Sequence, residues 1–145
     1  MAGKPEFVTQ AEKFFVACET GKGPKETDQY TEEGAKFCGQ VVADAFKGIE
    51  TVSQYTAWME GLFKFAPDGS YTLHSTTWNT EARQVVFFAQ FHGTHTGEGG
   101  PCPPTGKATN SDYVYILEMS DANKVRQLTK VWNNAYAFKE FGWMP

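Results

Sequence analysis

The chain has 145 residues, 41% hydrophobic and 21% charged, with a formal net charge of −4. That length suits one domain with one core over residues 1–145, and the scattered Lys and Arg lack the clustering that a nucleic-acid surface needs. No run approaches the ~18 apolar residues of a membrane-spanning helix, and the opening MAGKPEFVTQ lacks the apolar stretch of a signal peptide, so a soluble, cytoplasmic protein is expected.

In chain order, Phe7, Val8, Ala11, Phe14, Phe15 and Cys18 recur at helical spacing over residues 5–20. Pro5 suits the first turn, where its missing N–H costs nothing, and GKGP at 21–24 ends the helix. The polar stretch 25–33 predicts a short exposed helix, and 35–42 a short strand. A second long helix begins near Gly48, with Val52, Tyr55, Trp58, Met59, Leu62 and Phe63 on one stripe. PDG at 67–69 is a turn, since Pro sets φ and Gly accepts positive φ.

Beyond that turn the composition changes to β-branched and aromatic residues. Residues 70–80, 83–95, 112–120 and 124–134 read as four strands, with DAN at 121–123 as a hairpin turn. The last segment, AYAFKEFGW, reads as a short helical turn or tail. Helices first and a meander of antiparallel strands after them point to the α+β class. In the second strand, Val85, Phe87, Ala89 and Phe91 alternate with Val86, Phe88, Gln90 and His92. Both sets are largely apolar, so both faces should be covered, one by helices and the other by a second subunit. A homodimer is expected.

The aromatic share is unusual: twelve Phe, six Tyr and four Trp make up 15% of the chain. Such a surplus suggests an aromatic-lined cavity or a dimer interface, beside the plain alternative of an aromatic core. The three cysteines, Cys18, Cys38 and Cys102, are widely spaced and odd in number, which predicts free thiols in a reducing compartment. Residues 91–107, FHGTHTGEGGPCPPTGK, invite three chemical readings. A zinc site fails because His92, His95 and Cys102 match no strong ligand spacing. Phosphate binding by GEGG fails because the loop joins two strands and opens no helix. A β-hairpin loop remains. No metal or other cofactor is expected.

Three strings carry a family resemblance. FHGTHTGEGGPCPPTGK is similar to the GTHTGE…PPTGK hairpin of SnoaL-like polyketide cyclases. NKVRQLTKVWNN, followed by AFKEFGW, resembles the ending of that family, and GIETVSQYTAWM resembles its long helix. The resemblance implies an NTF2-like α+β cone, with helices and a curved antiparallel sheet around an apolar pocket for a small hydrophobic molecule. Enzymes of this kind perform aldol cyclisation, isomerisation or dehydration, and other members only bind ligands or partners, so the site must decide the function.

By that resemblance His95 and Asp112 are the candidate acid–base residues. Tyr55, Trp58, Trp78, His92 and Trp132 are candidates to wall the substrate, and Asn134 to orient it. Two bland alternatives stand beside these: His95 shaping the loop through backbone hydrogen bonds, and Asp112 serving as a strand-start residue. The sequence also departs from the related ketosteroid isomerases. Their early acidic base would fall near Phe37 or Cys38 here, with Asp44 displaced, and the acid near the chain end is replaced by Asn133 and Asn134, which cannot act as bases. A non-catalytic ligand-binding protein and a protein-interaction domain stay open.

Overall fold

In a computed structural model, which describes residues 3–40 and 46–145, four helices pack on a five-stranded mixed sheet. The helices are α1 (Glu6–Glu19), α2 (Pro24–Thr27), α3 (Val52–Phe65) and α4 (Asn134–Glu140). The strands are β1 (Thr31–Gly39), β2 (Ser70–Asn79), β3 (Gln84–Thr94), β4 (Ala108–Met119) and β5 (Val125–Trp132), in the order β1-β5-β4-β3-β2. This is the α+β architecture that the order of elements predicts.

Helix α1 begins where the sequence indicates, and α3 begins a turn later than expected. Pro5 caps α1, which buries Phe7, Val8, Ala11, Phe14, Phe15 and Cys18. A capping box starts α3: the Thr51 hydroxyl accepts from the Gln54 N–H, and the Gln54 side chain accepts from the Thr51 N–H. Helix α3 therefore begins at Val52, four residues after Gly48.

Two expectations are corrected near the start of the sheet. The helix expected over 25–33 shrinks to α2 and a 3₁₀ turn at Asp28–Tyr30, because the chain is already in β1 at Thr31. Buried Thr27 fastens this turn by donating to the Gly23 carbonyl and bonding the Thr56 hydroxyl on α3, while Thr31 donates to the Thr27 carbonyl. The sheet is also not wholly antiparallel. β1 runs parallel to β5, with Phe37 opposite Leu128 and Gly39 opposite Lys130. Residues 41 and 42 of the expected strand, and Asp44, lie outside the described residues.

The inward face is set by pairing across the strands. Phe87, Tyr115 and Lys130 are successive cross-strand partners on β3, β4 and β5, as are Ala89, Tyr113 and Trp132. Residues directly opposite one another share a face, so these six side chains point together toward the helices. There they join a core that includes Phe14, Phe15, Tyr55 and Met59.

Candidate functional site

An acidic and a basic side chain are both buried inside this apolar core. Glu19 ends α1 and is 3% exposed; Lys130 on β5 is 8% exposed. Buried ions of this kind need partners, and three tyrosines supply them. The Tyr113 and Tyr115 hydroxyls donate to Glu19 Oε1 and Oε2, the latter at 2.8 Å. The Lys130 ammonium donates to the Tyr55 hydroxyl at 3.0 Å, and the Tyr55 and Tyr115 hydroxyls bond each other. An ammonium only donates and a carboxylate only accepts. The bonds therefore run in one direction, from Lys130 through Tyr55 and Tyr115 to Glu19.

Aromatic rings surround the cation. Lys130 Nζ lies 3.9 Å from the Trp132 ring centroid and 5.3–5.9 Å from those of Phe46, Tyr55, Trp58, Tyr113 and Tyr115. The ring faces favour the charged form, and burial opposes it. Burial dominates: it lowers the Lys130 pKa from 10.5 to about 8, against the pull of Glu19. Burial likewise raises the Glu19 pKa, although the Tyr113 hydrogen bond, Lys130 and the Tyr115 hydrogen bond all favour its charged form. Both ions are thus pushed toward neutrality. Burial also raises the thiol of Cys18 well above its usual value.

Glu19, Tyr113 and Lys130 line an interior cavity with Trp58, Trp132, Phe138 and Trp143. Its open volume is ≈ 20 Å³, room for about one water. A ring-sized ligand needs more space than that. The C-terminal segment, carrying Phe138, Phe141 and Trp143, forms a lid-like wall of the cavity and is tied down by the hairpin. Thr105 donates to the Phe141 carbonyl at 2.6 Å, and the Trp143 indole donates to His95 Nδ1 at 3.0 Å. Glu140 on α4 accepts from the Thr109 hydroxyl and the Asn110 N–H.

The GTHTGE stretch has a local physical reason. The Thr96 and Gly97 amides both donate to the Phe65 carbonyl at the end of α3. A Cβ on Gly97 would stand 2.1 Å from the Lys64 carbonyl oxygen, so only glycine fits. His95 is fully buried among Phe65, Phe141 and Trp143. Its backbone N–H and C=O pair with Lys107 and Gly106 across the hairpin. Nδ1 accepts from the Trp143 indole, and Nε2, which faces Gly100, has no hydrogen-bond partner among the described residues.

The structure brings three of the sequence candidates together: Trp58 and Trp132 on the cavity wall and Tyr55 in the hydrogen-bond chain. His95 stands behind the lid, and buried Asn134 opens α4. Asp112 is exposed on the opposite sheet face, where it accepts from Gln90 at 3.1 Å. His92 shares that face and bonds Thr72 and Asn110. Trp78 lies on edge strand β2 and is 42% exposed. Sequence reasoning missed Glu19 and Lys130, although a signal existed. Glu19 follows Phe15 by four residues on the apolar helix face, and Lys130 falls in strand phase with Leu128 and Trp132.

Residues 9–141 match the family of SnoaL-like polyketide cyclases. No curated protein matches the chain. Among solved structures, it is similar to a Jannaschia sp. CCS1 protein described as a SnoaL-like polyketide cyclase, at TM-score 0.75 and 16% identity, covering 100% of this chain and 99% of that one. AclR of Streptomyces galilaeus, described as a hydroxylase, superposes at TM-score 0.73 and 19% identity, covering 97% and 83%. TsrD of Streptomyces laurentii does so at TM-score 0.73 and 15% identity, covering 99% and 100%. These likenesses establish the NTF2-like fold.

Proposed function

The chain belongs to the SnoaL-like polyketide cyclase family, and on that premise we propose acid–base chemistry on a largely apolar, carbonyl-bearing substrate, polyketide-like or aromatic. The observation that carries this reading is the buried Lys130–Tyr55–Tyr115–Glu19 chain opening on an aromatic cavity. Enolisation needs a base beside the carbon acid and a cation or donor at the oxygen. Glu19 is the base: its raised pKa brings it toward the operating pH, where proton transfer is most effective. The Lys130 ammonium is placed to hold the developing enolate oxygen, and Tyr113 orients Glu19. Trp58 and Trp132 wall the flat substrate. His95 serves by fixing the lid, and Asp112 takes no part, since its carboxylate lies on the other face of the sheet.

The test is exchange of the α-protons of 2-tetralone, a flat enolisable ketone, followed by NMR in heavy water. The protein should accelerate exchange, and Glu19→Gln should lower the rate about 10²-fold or more. Asp112→Asn should change it little. Exchange at the solvent rate with the unaltered protein, or full exchange by Glu19→Gln, would overturn the assignment.

We further propose a homodimer through the outer sheet face. Phe88, Val114 and Val131 form an apolar row across β3, β4 and β5, and Phe88 and Val131 are 40% and 55% exposed. A second reading, a protein-interaction domain, is favoured by the cavity's small open volume. Failure of any small ketone to exchange, with retention of a dimer, would select it.

A further inference from the structure

The hydrogen-bond chain gives Lys130 a chemical option beyond holding charge. Each link joins a donor to an oxygen that itself donates onward: Lys130 to Tyr55, Tyr55 to Tyr115, and Tyr115 to Glu19. Passing one proton along each link turns ammonium and carboxylate into amine and carboxylic acid, with the heavy atoms in place. The two neutral groups are the ones that a desolvated core favours. In the amine so formed the Nζ lone pair accepts from the Tyr55 hydroxyl, and rotation about the Cε–Nζ bond turns it toward the cavity. Its Nζ lies against the Trp132 ring on the wall of the cavity.

We propose that Lys130 condenses with the carbonyl carbon of an aldehyde or ketone on a flat, largely apolar substrate, forming an imine in the cavity. This rests on the reading that the cavity takes a carbonyl compound. The Lys130 lone pair attacks the carbonyl carbon, and the C=O π pair moves to oxygen, which gains a proton. The nitrogen sheds one proton. The carbinolamine hydroxyl then leaves as water, taking a proton from the Glu19 carboxylic acid as the C=N bond forms. Amine plus carbonyl gives imine plus water, with no oxidant or reductant. The protonated imine acidifies the neighbouring C–H, and the Glu19 carboxylate left behind is the group to remove that proton. Lysines desolvated among apolar side chains are suited to this nucleophilic role.

The experiment treats the whole protein with 2-naphthaldehyde and sodium cyanoborohydride, then maps modified lysines by peptide mass spectrometry. Reduction fixes the imine as a secondary amine, adding the mass of the aldehyde less one oxygen. Labelling at Lys130 should outpace labelling at every surface lysine by about tenfold or more. Glu19→Gln keeps the nucleophile and removes the acid, so labelling at Lys130 alone should fall about 10²-fold. If Glu19→Gln does not fold, Tyr55→Phe, which cuts the first link, replaces it with the same expectation. Surface lysines serve as the internal standard in every sample. Lys130 unlabelled in the folded protein while surface lysines react, or an unchanged rate at Lys130 in the variant, overturns the proposal. Tetralone exchange without an adduct would leave the acid–base reading standing and reject the imine. An adduct without exchange would do the reverse.

Discussion

Lys130→Met tests the burial of the lysine through the pH dependence of stability. The folded pKa of Lys130 is depressed from 10.5 to about 8, chiefly by burial. Between those values the unfolded chain holds a proton that the folded protein has released. Stability therefore rises with pH across that window, at up to about 1.4 kcal/mol per pH unit. From about pH 7 to about 9.5 the two titrations differ by about 2 kcal/mol for this fully buried group. Cys18 acts in the opposite sense. Its thiol is raised by burial, so its contribution is lost as pH climbs past the unfolded thiol value of ~8.5. Tyr55, Tyr113 and Tyr115, also raised by burial, lower stability above the unfolded value of ~10. Burial, the main cause of both effects, is kept in the variant, although the smaller pull of Lys130 on Cys18 is lost, so the quantity to measure is the stability difference between the unaltered protein and Lys130→Met. Urea unfolding at a series of pH values, read by tryptophan fluorescence, gives it directly. The difference should move by about 2 kcal/mol in favour of the unaltered protein as pH rises over that range. A difference independent of pH would show that Lys130 titrates normally and is not desolvated, which removes the physical basis of the site.

Gly97→Ala should cost about 1–3 kcal/mol in a thermal melt, because its Cβ would stand 2.1 Å from the Lys64 carbonyl oxygen. Trp143→Phe keeps the ring but removes the donor to buried His95 Nδ1; a loss of about 1–2 kcal/mol is expected, with faster amide exchange in α4 than in β4. Val131→Glu places a charge on the exposed apolar row of the outer sheet face and should yield monomers in sedimentation, with the α-proton exchange rate of each protomer retained.

Much of the architecture was legible because it depends on local chemistry. Pro5, the Gly-rich GKGP and the PDG turn act within a few residues, and the apolar periods of α1, α3, β3 and β4 follow from which face each element buries. The parallel pairing of β1 with β5 was not legible, since those strands lie far apart in sequence and no local signal names the partner. The same limit governs the site. Periodicity placed Tyr55 and Trp58 on the apolar stripe of α3, the family resemblance made Trp132 a wall candidate, and Glu19 and Lys130 stand in phase with apolar neighbours. A charged residue in an apolar phase can equally end a helix or reach solvent from a strand end. Only tertiary packing decided otherwise, by closing α1, α3 and two adjacent strands around both ions and leaving their solvation to three tyrosine hydroxyls. Asp112 shows the converse: its acidic chemistry is plain in the sequence, but strand parity beside inward Tyr113 turns it to the outer face.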